Sequence, residues 1–91
     1  MAISVMFNPD GMTKDQYDEI MRQLYAAGAL PDAPGLISHI CYGTDDNLSV
    51  HDTWESQEHF MEFGKTLLPI IQSVGVKTDM PRIQAVHNSL F

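Results

Sequence analysis

Residues 36–54 read Leu36-Ile37-Ser38-His39-Ile40-Cys41-Tyr42, then Gly43-Thr44-Asp45-Asp46-Asn47, then Leu48-Ser49-Val50-His51-Asp52-Thr53-Trp54. Both flanks are rich in β-branched, aromatic and other apolar residues, while glycine, aspartate and asparagine fill the middle. This composition predicts two strands joined by a hairpin turn. Closing the hairpin with Gly43 opposite Leu48 sets His39 opposite Asp52, Cys41 opposite Val50 and Ile37 opposite Trp54. Side chains alternate along a strand, so these six share one face. The other face carries Leu36, Ser38, Ile40, Tyr42, Ser49, His51 and Thr53 and is more polar. The Trp54 face is therefore the one expected to pack beneath other elements.

Working outward toward the N-terminus, Ala2 to Phe7 is apolar, with Ile3, Val5 and Phe7 on one side, and Asn8-Pro9-Asp10-Gly11 ends it with turn chemistry. Thr13 followed by Gln16 forms a capping box, and Met12 with Tyr17 holds the staple positions, so a helix starts near Lys14. Tyr17, Ile20, Met21, Leu24 and Tyr25 make its apolar stripe, Gly28 stops it, and Pro31-Asp32-Ala33-Pro34-Gly35 is a stiff connector. On the other side of the hairpin, Ser56 is an N-cap for a helix carrying Phe60, Met61, Phe63, Leu67, Leu68, Ile70, Ile71 and Val74 and ending at Gly75. Pro69 inside this helix removes one backbone donor, which predicts a kink near Gly64 to Leu68. After Pro81, the alternation from Arg82 to Asn88 predicts a fourth strand with His87 on the side of Ile83 and Ala85.

Strand, helix, strand, strand, helix, strand is the order of the ferredoxin-like βαββαβ motif. The expected architecture is α+β: one domain over residues 1–91, with both helices on one face of a four-stranded antiparallel sheet of order 4-1-3-2. His39, Asp52, Trp54 and His87 then point inward. An inward carboxylate is costly unless satisfied, and a cross-strand imidazole within reach satisfies it. His39 and Asp52 are thus the candidate catalytic pair, with Asp52 fixing the tautomer and His39 taking a proton from a phenol or another acidic carbon or oxygen. Trp54, Phe60, Phe63 and Tyr17 would form an aromatic pocket wall, with His87 at its far end and Cys41 beside the pair. His51 and His59 are given no role.

The residue types of His39, Asp52 and His87 also suit a metal site of two histidines and one carboxylate. Geometry argues against it, because strand four lies two strand spacings from strand three, roughly 10 Å, and ligands must converge within about 2 Å of one ion. No phosphate-cradling glycine loop occurs, and no cofactor is expected.

Twelve acidic against five basic residues give a net charge of −7, and the bases Lys14, Arg22, Lys65, Lys77 and Arg82 are scattered. Phosphate backbones and anionic headgroups attract clustered Lys and Arg, so neither nucleic acid nor membrane is an expected partner. The lone cysteine, Cys41, cannot form an internal disulfide. No signal-like start or membrane-length apolar run is present, which gives a cytoplasmic protein as the expectation. A chain of 91 residues buries a modest share of its surface, which makes self-association favourable.

At Asp52-Thr53-Trp54-Glu55-Ser56-Gln57-Glu58-His59-Phe60 the chain resembles the antibiotic biosynthesis monooxygenase group of the dimeric α/β-barrel superfamily. There a third strand ending in Trp-x-Ser leads into a helix with a Phe a few residues on. The resemblance implies a homodimer whose two sheets pack together, each protomer holding an apolar pocket between its own sheet and helices. Members of the superfamily include cofactor-independent oxidases of polycyclic phenols, haem-degrading enzymes, lactone isomerases and polyketide cyclases, so fold leaves activity open. Trp54 and Asn8 are similar in place to the pocket tryptophan and first-strand asparagine of the haem-degrading members. Those enzymes also need a haem-ligating histidine where this chain has Phe63-Gly64-Lys65-Thr66-Leu67, which argues against haem degradation.

The expected function is binding of a small apolar or aromatic molecule by a homodimer, with cofactor-independent oxygenation or isomerisation driven by the His39–Asp52 base. A non-catalytic ligand-binding or stress-related protein with the same pocket is the rival.

Overall fold

The computed structural model describes residues 1–77 and 80–90 and follows the expected order. Its elements are β1 (Ile3–Phe7), α1 (Lys14–Ala26), β2 (Leu36–Thr44), β3 (Asn47–Trp54), α2 (Gln57–Val74) and β4 (Arg82–Ala85). The strands form a four-stranded antiparallel sheet, β2-β3-β1-β4, which is the predicted order read from the opposite edge. Both helices cover the Trp54 face. Ile20 and Leu24 of α1 are buried with Ile70 and Ile71 of α2, and Phe7 and Val50 of the sheet pack against them. Toward the other end of the same face, Ile3, Val5 and Trp54 are buried beneath Phe60 and Phe63. Among the described residues no helix is long and apolar enough to cross a membrane.

The helix starts form as the sequence dictates. Thr13 accepts from the Gln16 amide while the Gln16 side chain accepts from the Thr13 amide, and Ser56 accepts from the His59 amide. Gly75 closes α2 in the left-handed conformation, φ 86°, which costs glycine nothing. The helix runs unbroken through Pro69.

The hairpin tip is tied to the start of α1. The Lys14 amide donates to the Asp45 carbonyl at 2.7 Å, and the Leu48 amide to the Met12 carbonyl at 2.9 Å. Tyr17 sits one turn into α1, so these bonds fix its height above the hairpin.

Two details of strand pairing depart from the sequence reading. The first is a bulge in β2. Ser38 to Thr44 pair with Thr53 to Asn47 in the expected register, but Leu36, not Ile37, lies opposite Trp54. Gly35, φ 82°, accepts the Glu55 amide at 2.8 Å and approaches His59 so closely that a Cβ would collide with its ring. This anchor draws Leu36 over Trp54, and Ile37 becomes the extra residue, 44% exposed. The second is the length of β4, which pairs only with β1. Its ladder ends with Ala85 opposite Ile3 and one further bond, from the Val86 amide to the Ala2 carbonyl at 3.0 Å. Beyond that no strand lies opposite, and His87 falls in an exposed bend instead of a strand.

Candidate functional site

Between the sheet and the two helices lies a cavity of about 260 Å³. That is room for roughly nine water molecules at ~30 Å³ each, near the lower end of the ligand-pocket range. Val5 and Val50 form part of its floor, with Ile20, Leu24, Phe63 and Leu67 descending from the helices. An apolar molecule of one or two rings matches its size and character.

The polar groups of the cavity form a connected chain at one side. His39 Nδ1 stands 2.5 Å from Asp52 Oδ1, His39 Nε2 stands 2.6 Å from the Tyr17 hydroxyl, and Trp54 Nε1 stands 3.4 Å from Asp52 Oδ2. An ionised carboxylate only accepts, so in the neutral imidazole the proton sits on Nδ1, facing Asp52, and Nε2 accepts from the Tyr17 O–H. The Tyr17 and His39 rings are within 6° of parallel. Asp52 is the more enclosed of the pair, its side chain 13% exposed against 28% for His39. Hydrogen bonds from His39 and, at longer range, Trp54 reach both of its carboxylate oxygens.

The same surroundings act on the neighbouring groups. Burial, then the nearby Cys41, Asp52 and Asp18, push the Tyr17 phenol up to about 12. Tyr17 therefore keeps its proton at neutral pH. Burial and Asp18 also raise the Cys41 thiol, although a hydrogen bond with Tyr17 opposes them. A raised thiol is a poor nucleophile.

Most of the residues singled out from the sequence meet here. His39, Asp52, Trp54, Phe60, Phe63 and Tyr17 all line the cavity. Trp54 is fully buried, with Phe63 at 5.0 Å and Phe60 at 5.9 Å between ring centroids. Cys41 is not part of the lining; its thiol neighbours Tyr17 instead. His87 is exposed outside β4 and absent from the lining. His39, Asp52 and His87, whose residue types suit a metal site, are therefore not brought together. Among the described residues no group of three or more His, Cys, Asp or Glu side chains is placed to hold a metal ion.

The sequence reading placed Tyr17 in the aromatic wall and missed its bond to His39. The available signal was a tyrosine on the buried stripe of α1, since an enclosed phenol needs a hydrogen-bond partner. The remaining histidines lie elsewhere. His51 Nε2 is 2.7 Å from Ser4 Oγ on the uncovered face of the sheet, and His59 Nδ1 is 2.7 Å from Ser56 Oγ at the start of α2.

No protein-family model matches the sequence, and no curated protein matches it either. Solved structures do match along almost the whole chain. One, from Chloroflexus aurantiacus and provisionally assigned as an antibiotic biosynthesis monooxygenase, is 13% identical, with a TM-score of 0.69 over 100% of this chain and 98% of that one. SnoaB, a cofactor-independent oxygenase from Streptomyces nogalater, is 15% identical, with a TM-score of 0.63 over 98% and 94%. A dimeric ferredoxin-like protein of unknown function from Thermobifida fusca is 13% identical, with a TM-score of 0.64 over 94% and 92%. The structural neighbours are thus antibiotic biosynthesis monooxygenase-like proteins of ferredoxin-like fold, dimeric ones among them. At these identities the likeness is one of fold.

Proposed function

We propose that this chain is a single-domain homodimeric enzyme that binds a small apolar or aromatic molecule and removes a proton from it, with His39 as base and Asp52 as its orienting partner. Proton removal is the step that cofactor-free oxygenation and isomerisation of such molecules have in common. The observation that carries the reading is the bond from His39 Nδ1 to Asp52 at the edge of an apolar cavity. The carboxylate fixes the tautomer and stabilises the imidazolium formed when Nε2 gains a proton. The description of SnoaB as a cofactor-independent oxygenase on the same fold agrees with this chemistry. A homodimer is favoured by Ile40 and Tyr42, which stand 55% and 43% exposed on the uncovered sheet face.

One observation favours the non-catalytic alternative: both ring nitrogens of His39 are engaged within the chain. The test is binding of nitronaphthol, a two-ring phenol whose ionised form is coloured. The wild type is expected to bind it and to increase its ionised fraction, while His39→Gln and Asp52→Asn bind it without ionising it. Binding with no ionisation by the wild type leaves a ligand-binding protein. No binding at all refutes the pocket.

A further inference from the structure

Both nitrogens of His39 are occupied, one by Asp52 and the other, at 2.6 Å, by the Tyr17 hydroxyl. A ligand's hydroxyl entering the cavity therefore has no free lone pair on the imidazole to approach. Tyr17 lines the cavity too, and its oxygen, while donating to His39, keeps lone pairs that can accept a further hydrogen bond. The start of α1 is held in place by its capping box and by the two backbone bonds to the hairpin tip. The hydroxyl is thus fixed over His39 by the fold, not by one flexible contact.

Resting on the reading of His39 as base, we propose that Tyr17 is the catalytic group that meets the substrate oxygen, and that the site takes a phenol or enol of one or two rings whose proton reaches His39 through the Tyr17 hydroxyl. The substrate O–H bond breaks as a new O–H bond forms on Tyr17. The original Tyr17 proton moves to His39 Nε2, and its electron pair stays on the Tyr17 oxygen. Tyr17 ends neutral, donating to the new substrate anion and accepting from the imidazolium, whose charge faces Asp52. No electrons are exchanged with an oxidant or reductant.

The elevated phenol, about 12, suits this role, because Tyr17 passes a proton along without resting as a phenoxide. The groups facing it are His39 and Cys41 of β2, Asp52 of β3, and Asp18 of its own helix. The apolar cavity by itself opposes ionisation of a bound phenol, so a bound phenolate requires a specific donor.

Nitronaphthol bound to the wild type and to Tyr17→Phe tests the proposal, with the ionised fraction of bound probe read by absorbance across pH. In Tyr17→Phe the probe is expected still to bind, its neutral form with an affinity within a few-fold of the wild type. Its ratio of ionised to neutral form falls at least about tenfold, in keeping with loss of a hydrogen bond to a charged group. A chain carrying fluorotyrosine at position 17 keeps the shape and supplies a stronger donor, so there the ionised fraction rises. That arm decides the matter should Tyr17→Phe fail to fold.

Ionisation unchanged in both variants overturns the relay and leaves His39 acting directly. Ionisation unchanged in His39→Gln instead removes the base itself, so the two failures are distinguishable.

Discussion

His39 and His51 lie on adjacent strands of one hairpin and point to opposite sides of the sheet. Each ring nitrogen in contact has a partner within 2.7 Å, but the partners differ in kind. On the covered face His39 holds a carboxylate at one nitrogen and a phenol at the other, and all three groups border an apolar cavity. On the uncovered face His51 holds the hydroxyl of Ser4, a neutral group with no third member. The residue type is the same and so is the hairpin. Position under the helices gives one histidine a three-membered network beside an apolar cavity, while the other makes a single part-buried hydrogen bond worth about 1 kcal/mol.

Four measurements break or sharpen that contrast. Trp54 is the fully buried anchor of the covered face, and Trp54→Ala is expected to cost about 3–5 kcal/mol in urea unfolding. A loss below about 1 kcal/mol would place the stability of the sheet elsewhere. The uncovered face is tested by Ile40→Glu. Unpaired carboxylates brought together in an interface cost several kcal/mol, so light scattering is expected to move from twice the 10.2 kDa chain mass to the chain mass itself. A wild type already at the monomer mass would remove the homodimer.

Smaller effects separate the two histidines. A double-mutant cycle of Ser4→Ala with His51→Ala is expected to give a coupling of about 1 kcal/mol or less and no change in nitronaphthol ionisation. A change in ionisation would mean that the faces are not independent. The smallest effect concerns alkaline pH. Tyr17 keeps its proton up to about 12, against 10.0 for an ordinary tyrosine. Its contribution to stability is therefore fully present below about pH 10 and is lost as pH rises through about 12, because the unfolded chain releases that proton first. Tyr17→Phe is expected to flatten this part of the stability curve. An unaltered alkaline limb in chemical denaturation would show that Tyr17 does not titrate as its surroundings require.

Much of the site was legible because a hairpin is local. Turn residues set the register, the register set His39 against Asp52, and alternation put Trp54 on their side. The turn proved tighter than expected, confined to Asp45 and Asp46, but it preserved the pairing. Ile37 was misplaced because Gly35, held against Glu55 and His59, adds one residue to β2. His87 was misplaced because alternation in a sequence continues past the point at which the neighbouring strand stops offering bonds.

The sequence by itself determined the element order, the helix starts at Thr13 and Ser56, the sheet order and the His39–Asp52 pairing. The helix starts and the pairing follow from contacts between near neighbours or from a two-residue period, and the sheet order follows from the element order through the ferredoxin-like motif. Only the tertiary structure decided that Tyr17 closes the chain of polar groups, that Cys41 stays behind it and that His87 stays outside. Those outcomes depend on where α1 docks over the hairpin and where β1 ends, distances set by packing between elements far apart in the chain, which no local pattern encodes.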